Sequence, residues 1–444
     1  MPLRAYDGEE AGIVLGRRLR GEPALPCHGG LVVLSPRRMT HHLLVMGATG
    51  AGKTETALRI AYCLAQVNDA PVFFLDGKGD RRTAARFVAL MKCAGRTARV
   101  FPDEPFDGWR GGAGDVQARL TEVIDYAAEG PAAWYRDVAK AVLTLVCRHP
   151  DGPPRCSAEA LSRMELRHLR SVHGPASAAV ALTAEQVRGV RLRYEAFFGQ
   201  LDGRLDGGWG WDDSRAAYLL LDTLALREEA RGLARFLFED FAHYFTARKA
   251  RERFCVLIVD EFSALASSGS MAARIEQARA FNTALILAPQ VAAGMGEAEE
   301  AARILASVET VVCHRVNTPD AVVALAGTRQ ALERTHEIAD AGPTGNGTAW
   351  RAHHFKVDPN EVRGLDRFVP FFFVHVYAGG QRMDGGSERW VKLQRVLEVS
   401  AGAAPIMELL VGAAEAELPP GPGRANSCDI GQQADSAFNI ARAT

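Results

Sequence analysis

A glycine-rich segment between an apolar run and an amphipathic stretch constrains this chain more than any other feature. Gly47–Thr54 reads GATGAGKT and fits the pattern GxxxxGK[ST]. The run His42–Met46 before it is typical of a strand, and ETALRIAYCLAQ after it has apolar residues at helical spacing. Glycines let the backbone fold around a phosphate, and the following helix contributes the positive end of its dipole. The segment therefore predicts a strand–loop–helix unit that binds a nucleotide.

The individual positions of this loop have expected roles. Lys53 would reach the β- and γ-phosphates, and the Thr54 hydroxyl would bind Mg²⁺. A purely structural glycine turn is the alternative, but the strand before the loop and the helix after it favour phosphate binding. The expected nucleotide-binding residues are Gly47, Ala48, Thr49, Gly50, Ala51, Gly52, Lys53 and Thr54.

Two adjacent carboxylates end a second apolar run. Cys255–Val259 are five apolar residues, and Asp260 and Glu261 follow directly. Carboxylates are seldom buried without partners, so such a pair needs a reason. We expect Asp260 to hold Mg²⁺ through water and Glu261 to polarise the attacking water, with a helix N-cap pair as the alternative. The glutamate favours an ATP-driven motor, because switch GTPases usually lack a base at this position.

Three further polar residues are candidates for the same site. Gln290 ends the strand-like run TALILAPQ, where its amide could touch both the γ-phosphate and a bound polymer. Arg279 could reach the γ-phosphate of a neighbouring subunit in a ring and stabilise transition-state charge, and Arg274 is its competitor. Solvated side chains are the alternative for all three.

Strands alternating with helices predict an α/β fold with a mostly parallel sheet. Between two such regions the chain has four helix-like stretches, at Val116–Ala127, Ala132–Arg148, Ala158–Arg170 and Thr183–Phe198. Near the end, FFFVHVY and ERWVKLQRV predict a β-hairpin. The expected organisation is a β-rich lead-in (1–40), the first part of a nucleotide-binding core (41–105), an all-α insertion (106–213), the second part of the core with the terminal hairpin (214–400), and a partly disordered tail (401–444).

The charge balance limits how the chain can bind nucleic acid. Lys and Arg number 52 against 53 Asp and Glu, so a basic bias of the whole chain is absent and any DNA contact must be local. Two basic clusters could supply it, although either could be a solvated face. They are Lys78, Arg81 and Arg82 in one cluster and Arg188, Arg191 and Arg193 in the other.

With these motifs in place, the chain resembles the type IV coupling proteins of bacterial conjugation (TraD/TraG-like), within the FtsK/HerA branch of RecA-type motors. The resemblance covers roughly Gly12 to Val396 and rests on HHLLVMGATGAGKTE, FFLDGKGD, AAWYRDVAKAVLTLVC, LIVDEFSAL and LILAPQ. It implies a RecA-like P-loop core and a homohexameric ring that hydrolyses ATP and moves DNA. It also implies that the helical domain meets a relaxase–DNA complex and that the ring delivers DNA to a membrane-embedded secretion channel.

The chain departs from this family in two respects. Family members usually begin with transmembrane helices, whereas no stretch here reaches the roughly 18 apolar residues needed to span a bilayer. We therefore expect a cytoplasmic chain, held at the inner face of the membrane through a partner or truncated. The family's usual ATQ also reads APQ at Ala288–Gln290, and the proline removes a backbone donor.

Two other functions remain open at this stage. One is an FtsK-type translocase of double-stranded DNA, although the helical insertion favours a coupling protein because FtsK-type cores normally lack it there. The other is an adaptor ATPase that recruits protein substrates to a secretion system. The intact set Lys53, Asp260 and Glu261 argues against an inactive ATPase.

Overall fold

The computed structural model describes most of the chain between residues 39 and 365, with shorter segments on either side. The described ranges are 13–17, 31–34, 39–126, 130, 133–221, 227–248, 253–262, 271–335, 338–339, 342–343, 347–355, 357–365, 371–374 and 391–392. Within these ranges, none of the helices combines the length and the apolar character that crossing a membrane requires.

A nine-stranded sheet forms the centre of the molecule. The strands of the chain are β1 (Ile13–Arg17), β2 (Leu31–Leu34), β3 (Leu43–Met46), β4 (Val72–Asp76), β5 (Arg99–Phe101), β6 (Ala216–Leu220), β7 (Cys255–Asp260), β8 (Thr283–Ala288), β9 (Thr310–Cys313), β10 (Thr328–Arg334), β11 (Ile338–Ala339), β12 (Gly342–Pro343), β13 (Ala349–Phe355), β14 (Phe371–Val374) and β15 (Val391–Lys392). The order across the large sheet is β15-β14-β9-β3-β8-β7-β4-β6-β5. The seven strands from β9 to β5 are parallel, and β14 and β15 add an antiparallel edge.

Helices cover both faces of this sheet. They are α1 (Lys53–Val67), α2 (Arg81–Cys93), α3 (Ala113–Val123), α4 (Ala133–Cys147), α5 (Ser157–Arg163), α6 (Leu166–His173), α7 (Ala184–Leu201), α8 (Arg227–Ala247), α9 (Met271–Ala278), α10 (Ala298–Ser307), α11 (Asp320–Ala326) and α12 (Pro359–Arg363). Every residue of β3, β4, β6, β7, β8 and β9 is buried, as expected for a parallel sheet with both faces covered. The predicted α/β fold with a mostly parallel sheet is confirmed.

Two adjacent phenylalanines of β4 show how the layers pack. Phe74 stacks on Tyr218 of β6 and meets Phe87 of α2, on the same face as α1. Phe73 points to the opposite face, where it packs edge-on against Phe241 of α8 and joins the larger core. Because successive side chains of a strand alternate between faces, this apolar run supplies both cores at once.

In the order of the chain, helices α3 to α7 follow β5 and precede β6, in the region where the sequence predicts helices. The single helix expected over Ala158–Arg170 is instead two, α5 and α6, because the chain becomes extended at Glu165. Met164 is fully buried at this break, and the Arg163 guanidinium donates to the carbonyl oxygens of Val146 and Gly152. Both pieces keep apolar residues at helical spacing, so periodicity alone does not reveal the break.

A hairpin that the sequence analysis missed follows α11. β10 and β13 pair antiparallel from Thr328↔Phe355 to Arg334↔Ala349, in a stretch for which no strand is predicted from the sequence. Most described side chains of β13 are exposed, so the ribbon lacks the apolar alternation by which strands are recognised. The two strands of the predicted terminal hairpin are present as β14 and β15, whereas the tail over 401–444 lies outside the described residues.

A buried ion pair joins α3 to α8. The Arg119 guanidinium of α3 contacts the Asp240 carboxylate of α8, and both side chains are more than nine-tenths buried. Trp211 Nε1 donates to the other Asp240 oxygen at 2.7 Å, and Arg119 Nε donates to the Asp115 carbonyl oxygen at 3.1 Å. Each group is therefore fully satisfied, which is the condition under which a buried pair is tolerated.

We predict that Asp240→Ala lowers the free energy of unfolding by about 3–5 kcal/mol, because the substitution leaves Arg119 buried without its counter-ion. Urea denaturation followed by circular dichroism measures the loss. Asp151→Ala is the matched control: its side chain is 83% exposed, and its effect should stay within about 0.5 kcal/mol. Equal losses in the two variants would contradict the structural role of the pair.

Candidate nucleotide-binding site

The loop between β3 and α1 has the backbone conformation of a phosphate cradle. Gly50 and Gly52 have φ values of 74° and 117°, a region that side-chain-bearing residues rarely adopt, and α1 begins at Lys53 immediately afterwards. A Cβ on Gly47 would lie 2.6 Å from the Cβ of His314, so this position accepts only glycine without a shift. The helix N-terminus and the turned backbone thus meet where an anion would bind.

Lys53 occupies the interior of this cradle. Its ammonium donates to the carbonyl oxygens of Gly47 at 2.6 Å and Ala48 at 3.3 Å. Burial lowers the pKa of Lys53 and the nearby Lys78 adds to that effect, whereas Asp260 and Glu261 oppose it. The ammonium is held by two carbonyl oxygens of the loop itself, from which it can reach a phosphate bound in the cradle.

The carboxylates of β7 lie beside the loop because of strand order. β8 separates β3 from β7, and all three run parallel, so their carboxyl ends share one edge of the sheet. Asp260 ends β7 almost fully buried, and its Oδ2 accepts a 2.8 Å hydrogen bond from Thr54 Oγ1 at the start of α1. The two predicted metal-binding side chains therefore touch each other.

Glu261 has an unusual backbone conformation. Its φ is 59°, in the left-handed region that costs a residue with a side chain about 1–3 kcal/mol. Gln290, two residues beyond β8, donates from Nε2 to Glu261 Oε1. The predicted site residues Lys53, Thr54, Asp260, Glu261 and Gln290 thus gather at one edge, where the amide of Gln290 holds the carboxylate of Glu261.

The turn after β4, with sequence DGKGD, belongs to this site as well. Asp76 pairs in register with Asp260, and the amide of Gly77 donates to the Asp260 carbonyl oxygen at 3.1 Å. Lys78, a candidate DNA contact from the sequence, lies with its ammonium 3.5 Å from both Asp260 Oδ2 and Glu261 Oε2. This position follows from the pairing of β4 with β7, a strand order that the sequence alone does not state.

His314 supports the phosphate loop from below and was also missed. It follows β9, the neighbour of β3, and its ring Nε2 lies 3.0 Å from Thr56 Oγ1 of α1. The next residue, Arg315, accepts a 2.8 Å hydrogen bond from the amide of Ala48 through its carbonyl oxygen. Burial lowers the pKa of His314 to about 3, and the charge of Lys53 contributes to that direction.

The two arginine candidates lie elsewhere. Arg279 is exposed on the short 3₁₀ turn before β8, at the sheet edge opposite the phosphate loop, beside a cavity of about 420 Å³ that His41 and Glu309 also line. Arg274 donates from Nε to Glu239 Oε2 at 3.1 Å, which engages it within the subunit. Arg274 is thus engaged within its own subunit, whereas Arg279 is exposed.

Two of the remaining basic candidates are engaged by acidic side chains. Arg81 donates from Nη1 to both carboxylate oxygens of Asp103, and Arg191 contacts Glu165 and Glu195. The Arg193 guanidinium lies 5.5 Å from the ring centre of Tyr126. Arg82 and Arg188 are exposed on their helices. Exposed ion pairs are weak, so these contacts leave DNA binding by either cluster untested.

The donor set suits a hard cation bound together with phosphates. Thr54 and Asp260 offer oxygen ligands, which Mg²⁺ prefers, and Mg²⁺ usually completes its shell with phosphate oxygens and water. Across the described part of the chain, no three His, Cys, Asp or Glu side chains form a metal-binding group. A cation at this edge would therefore take its remaining ligands from water or from a bound nucleotide.

Comparison of the sequence with known proteins gives one partial match. No protein-family model matches the chain. A segment of 114 residues, 26% of the chain, is 26% identical to the type 4 coupling protein DotL of Legionella pneumophila. The match spans only 14% of the length of DotL.

Comparison of the structure shows that the chain shares its fold with conjugative coupling proteins. The conjugative coupling protein TrwB lacking its first 70 residues matches with a TM-score of 0.62 and 14% identity, covering 87% of this chain and 94% of that one. TrwB in complex with ADP and Mg²⁺ matches at 0.60 and 17% identity over 88% and 97%. VirB4 of Thermoanaerobacter pseudethanolicus matches at 0.56 and 14% identity over 89% and 98%. The predicted resemblance to type IV coupling proteins is confirmed.

We predict an acid-sensitive contribution of His314 to stability. Its pKa of about 3 lies below the 6.5 of an unperturbed histidine, so the unfolded chain binds the proton more readily, and stability present above pH 6.5 falls as the pH drops. Between pH 7 and pH 5 the parent should lose about 2 kcal/mol more unfolding free energy than His314→Gln.

Urea titrations of both proteins at the two pH values measure this difference. Met295→Leu alters a buried residue that does not titrate, so its loss between the two pH values should match that of the parent. A loss in His314→Gln as large as the parental one would show that the buried imidazole is not the group responsible.

Proposed function

We propose that this protein is an ATP-driven motor that moves DNA and couples a relaxase–DNA complex to a type IV secretion channel. The observation that carries the proposal is the contact of Thr54 with Asp260, with Lys53, Glu261 and Gln290 around it, on the fold of conjugative coupling proteins. ATP and Mg²⁺ are the proposed cofactors, in agreement with the nucleotides bound to TrwB in its solved complexes.

The side chains of the site divide the work of hydrolysis. Lys53 binds the β- and γ-phosphates after leaving its carbonyl partners, and the amide groups of Gly47–Thr54 orient them. Thr54, and Asp260 through water, would hold Mg²⁺, which would supply positive charge to the phosphate oxygens. Glu261 accepts the proton of the attacking water, and Gln290 orients that carboxylate and links it to the end of β8.

We propose a homohexamer as the working form. Arg279 then supplies positive charge to the γ-phosphate bound by the next subunit. The helical insertion meets relaxase or relaxosome proteins, and a membrane-embedded channel protein holds the ring at the inner face of the membrane. A double-strand translocase of the FtsK type would share this chemistry and lack that role for the insertion.

A substrate-recruiting adaptor ATPase is a second candidate, favoured by one surface feature. Trp134 and Tyr135, at the start of α4, are 50% and 52% exposed and pack edge-on against each other. Exposed aromatic residues are enriched where proteins bind proteins. An adaptor would use this surface for a protein substrate and would hydrolyse ATP without a response to DNA.

DNA-dependent ATP turnover tests the proposal directly. We expect DNA to raise the rate of phosphate release, and this stimulation to decline steeply with salt because phosphate contacts release counter-ions. Lys53→Ala should abolish turnover, since another cation of the loop cannot take over at the γ-phosphate. Glu261→Gln should retain fluorescent ATP binding and lose about 100-fold or more in rate, because an amide cannot accept the proton.

Two outcomes would count against parts of this assignment. Parental turnover by Glu261→Gln would remove the proposed proton acceptor. An ATP turnover rate that neither single- nor double-stranded DNA changes would favour the adaptor. Lys140→Gln, which removes one exposed charge from the insertion, controls for a non-specific effect of net charge.

Mixing two inactive variants tests the role of Arg279. Arg279→Ala should bind ATP normally and hydrolyse it slowly, and Glu261→Gln lacks the other half of the site. Rings that contain both variants have some interfaces with both halves intact, so ATP turnover should recover on mixing. Light scattering establishes that the rings are mixed, and the absence of recovery in such rings would rule out Arg279 as the arginine supplied by the neighbour.

A further inference from the structure

The DGKGD turn holds Lys78 in a defined place. The Asp76 carboxylate accepts hydrogen bonds from the amides of Lys78 at 2.8 Å and Asp80 at 3.0 Å, and from the Tyr218 hydroxyl at 2.7 Å. A Cβ on Gly77 would lie 3.1 Å from the Cβ of Glu261, so the turn packs closely on the end of β7. The hydrogen bond to Asp76 and the packing of Gly77 against Glu261 therefore fix the backbone position of Lys78.

From this position the Lys78 ammonium lies between the two catalytic carboxylates. It is 3.5 Å from Asp260 Oδ2 and 3.5 Å from Glu261 Oε2, and its side chain is about one-third exposed. Asp260 Oδ2 is also the oxygen that accepts from Thr54 Oγ1. The lysine thus faces the side of Asp260 on which a cation held by Thr54 and Asp260 would bind.

The charges at this edge explain why a second lysine is needed. Three carboxylates end or follow β4 and β7, namely those of Asp76, Asp260 and Glu261, and Asp76 and Asp260 are almost fully buried. Lys53 is occupied by carbonyl oxygens of the phosphate loop. Burial lowers the pKa of Lys78, whereas the charges of Asp260, Glu261 and Asp76 raise it by more. The net effect is a pKa above the usual value for lysine.

We propose that Lys78 is the built-in counter-ion of Asp260 and Glu261, and that it gives way when a divalent cation binds at Thr54 and Asp260. The lysine is a positioning residue that holds both carboxylates in place while the site is free of metal. The inference rests on the proposed nucleotide and Mg²⁺ chemistry of this site, and it assigns the lysine of the DGKGD turn a role distinct from DNA binding.

Displacement of Lys78 by a cation predicts the direction in which metal affinity changes when the charge of the lysine is removed. A divalent cation must displace the parental lysine, so removing its charge should make nucleotide-free metal binding tighter, by about tenfold. A merely structural lysine would have the opposite effect, because disorder of the DGKGD turn would weaken the metal site. The direction of the change therefore separates the two roles.

Mn²⁺ binding in the absence of nucleotide, followed by electron paramagnetic resonance, measures this affinity for the whole chain. We expect Lys78→Gln to bind Mn²⁺ about tenfold more tightly than the parent, and Lys78→Arg, which keeps the charge, to stay near the parental value. Lys140→Gln should leave the affinity unchanged, because it removes an equal charge far along the chain on α4. Circular dichroism confirms that each variant is folded.

An affinity of Lys78→Gln equal to or weaker than that of the parent, including absence of Mn²⁺ binding by both, would overturn the counter-ion role. The same holds if Lys140→Gln tightens binding as much, since net charge alone would then be the cause. Failure of the proposed function has a different signature: the parent would neither bind nor hydrolyse ATP. The metal measurement uses no nucleotide, so the two failures are distinguishable.

Discussion

The parallel alignment of β4, β7, β8 and β3 determines everything that happens at the site. Parallel strands end together, so the carboxylates that end β4 and β7 and the loops that follow β3 and β8 meet at one edge of the sheet. The registers Asp76↔Asp260 and Asp260↔Ala288 bring three separate segments of the chain to the same level. Backbone pairing in the sheet thereby fixes the separations between side chains that lie far apart in sequence.

This alignment concentrates charge where burial is greatest. Asp76 and Asp260 lie side by side, and burial raises the pKa of Asp76 to about 6, with the charge of Asp260 adding to the effect. Hydrogen bonds from Tyr218 and from the backbone of the DGKGD turn oppose that shift. The Lys78 ammonium adds a positive charge beside Asp260 and Glu261. The DGKGD segment therefore contributes to the electrostatics of the site.

The sequence predicted the parts of this structure that depend on local pattern. The phosphate loop and the end of β7 were recognised because each motif is continuous and flanked by the expected elements. The contact of Gln290 with Glu261 arises because the adjacent parallel strands β7 and β8 end together. The positions of Lys78 and His314 depend on which strands are neighbours in the sheet, and a single sequence does not state that order. The exposed ribbon of β10 and β13 lacks the alternation on which strand recognition relies.

At position 261, the residue that the left-handed backbone favours differs from the residue that the proposed activity requires. A glycine would adopt φ of 59° without the steric cost, and thus favour the folded state locally, but it would remove the carboxylate. Selection for thermal tolerance alone would therefore favour loss of the proposed proton acceptor. Engineering of this chain for stability should therefore keep residue 261 unchanged. Glycine suits the left-handed backbone, but it has no carboxylate to accept a proton.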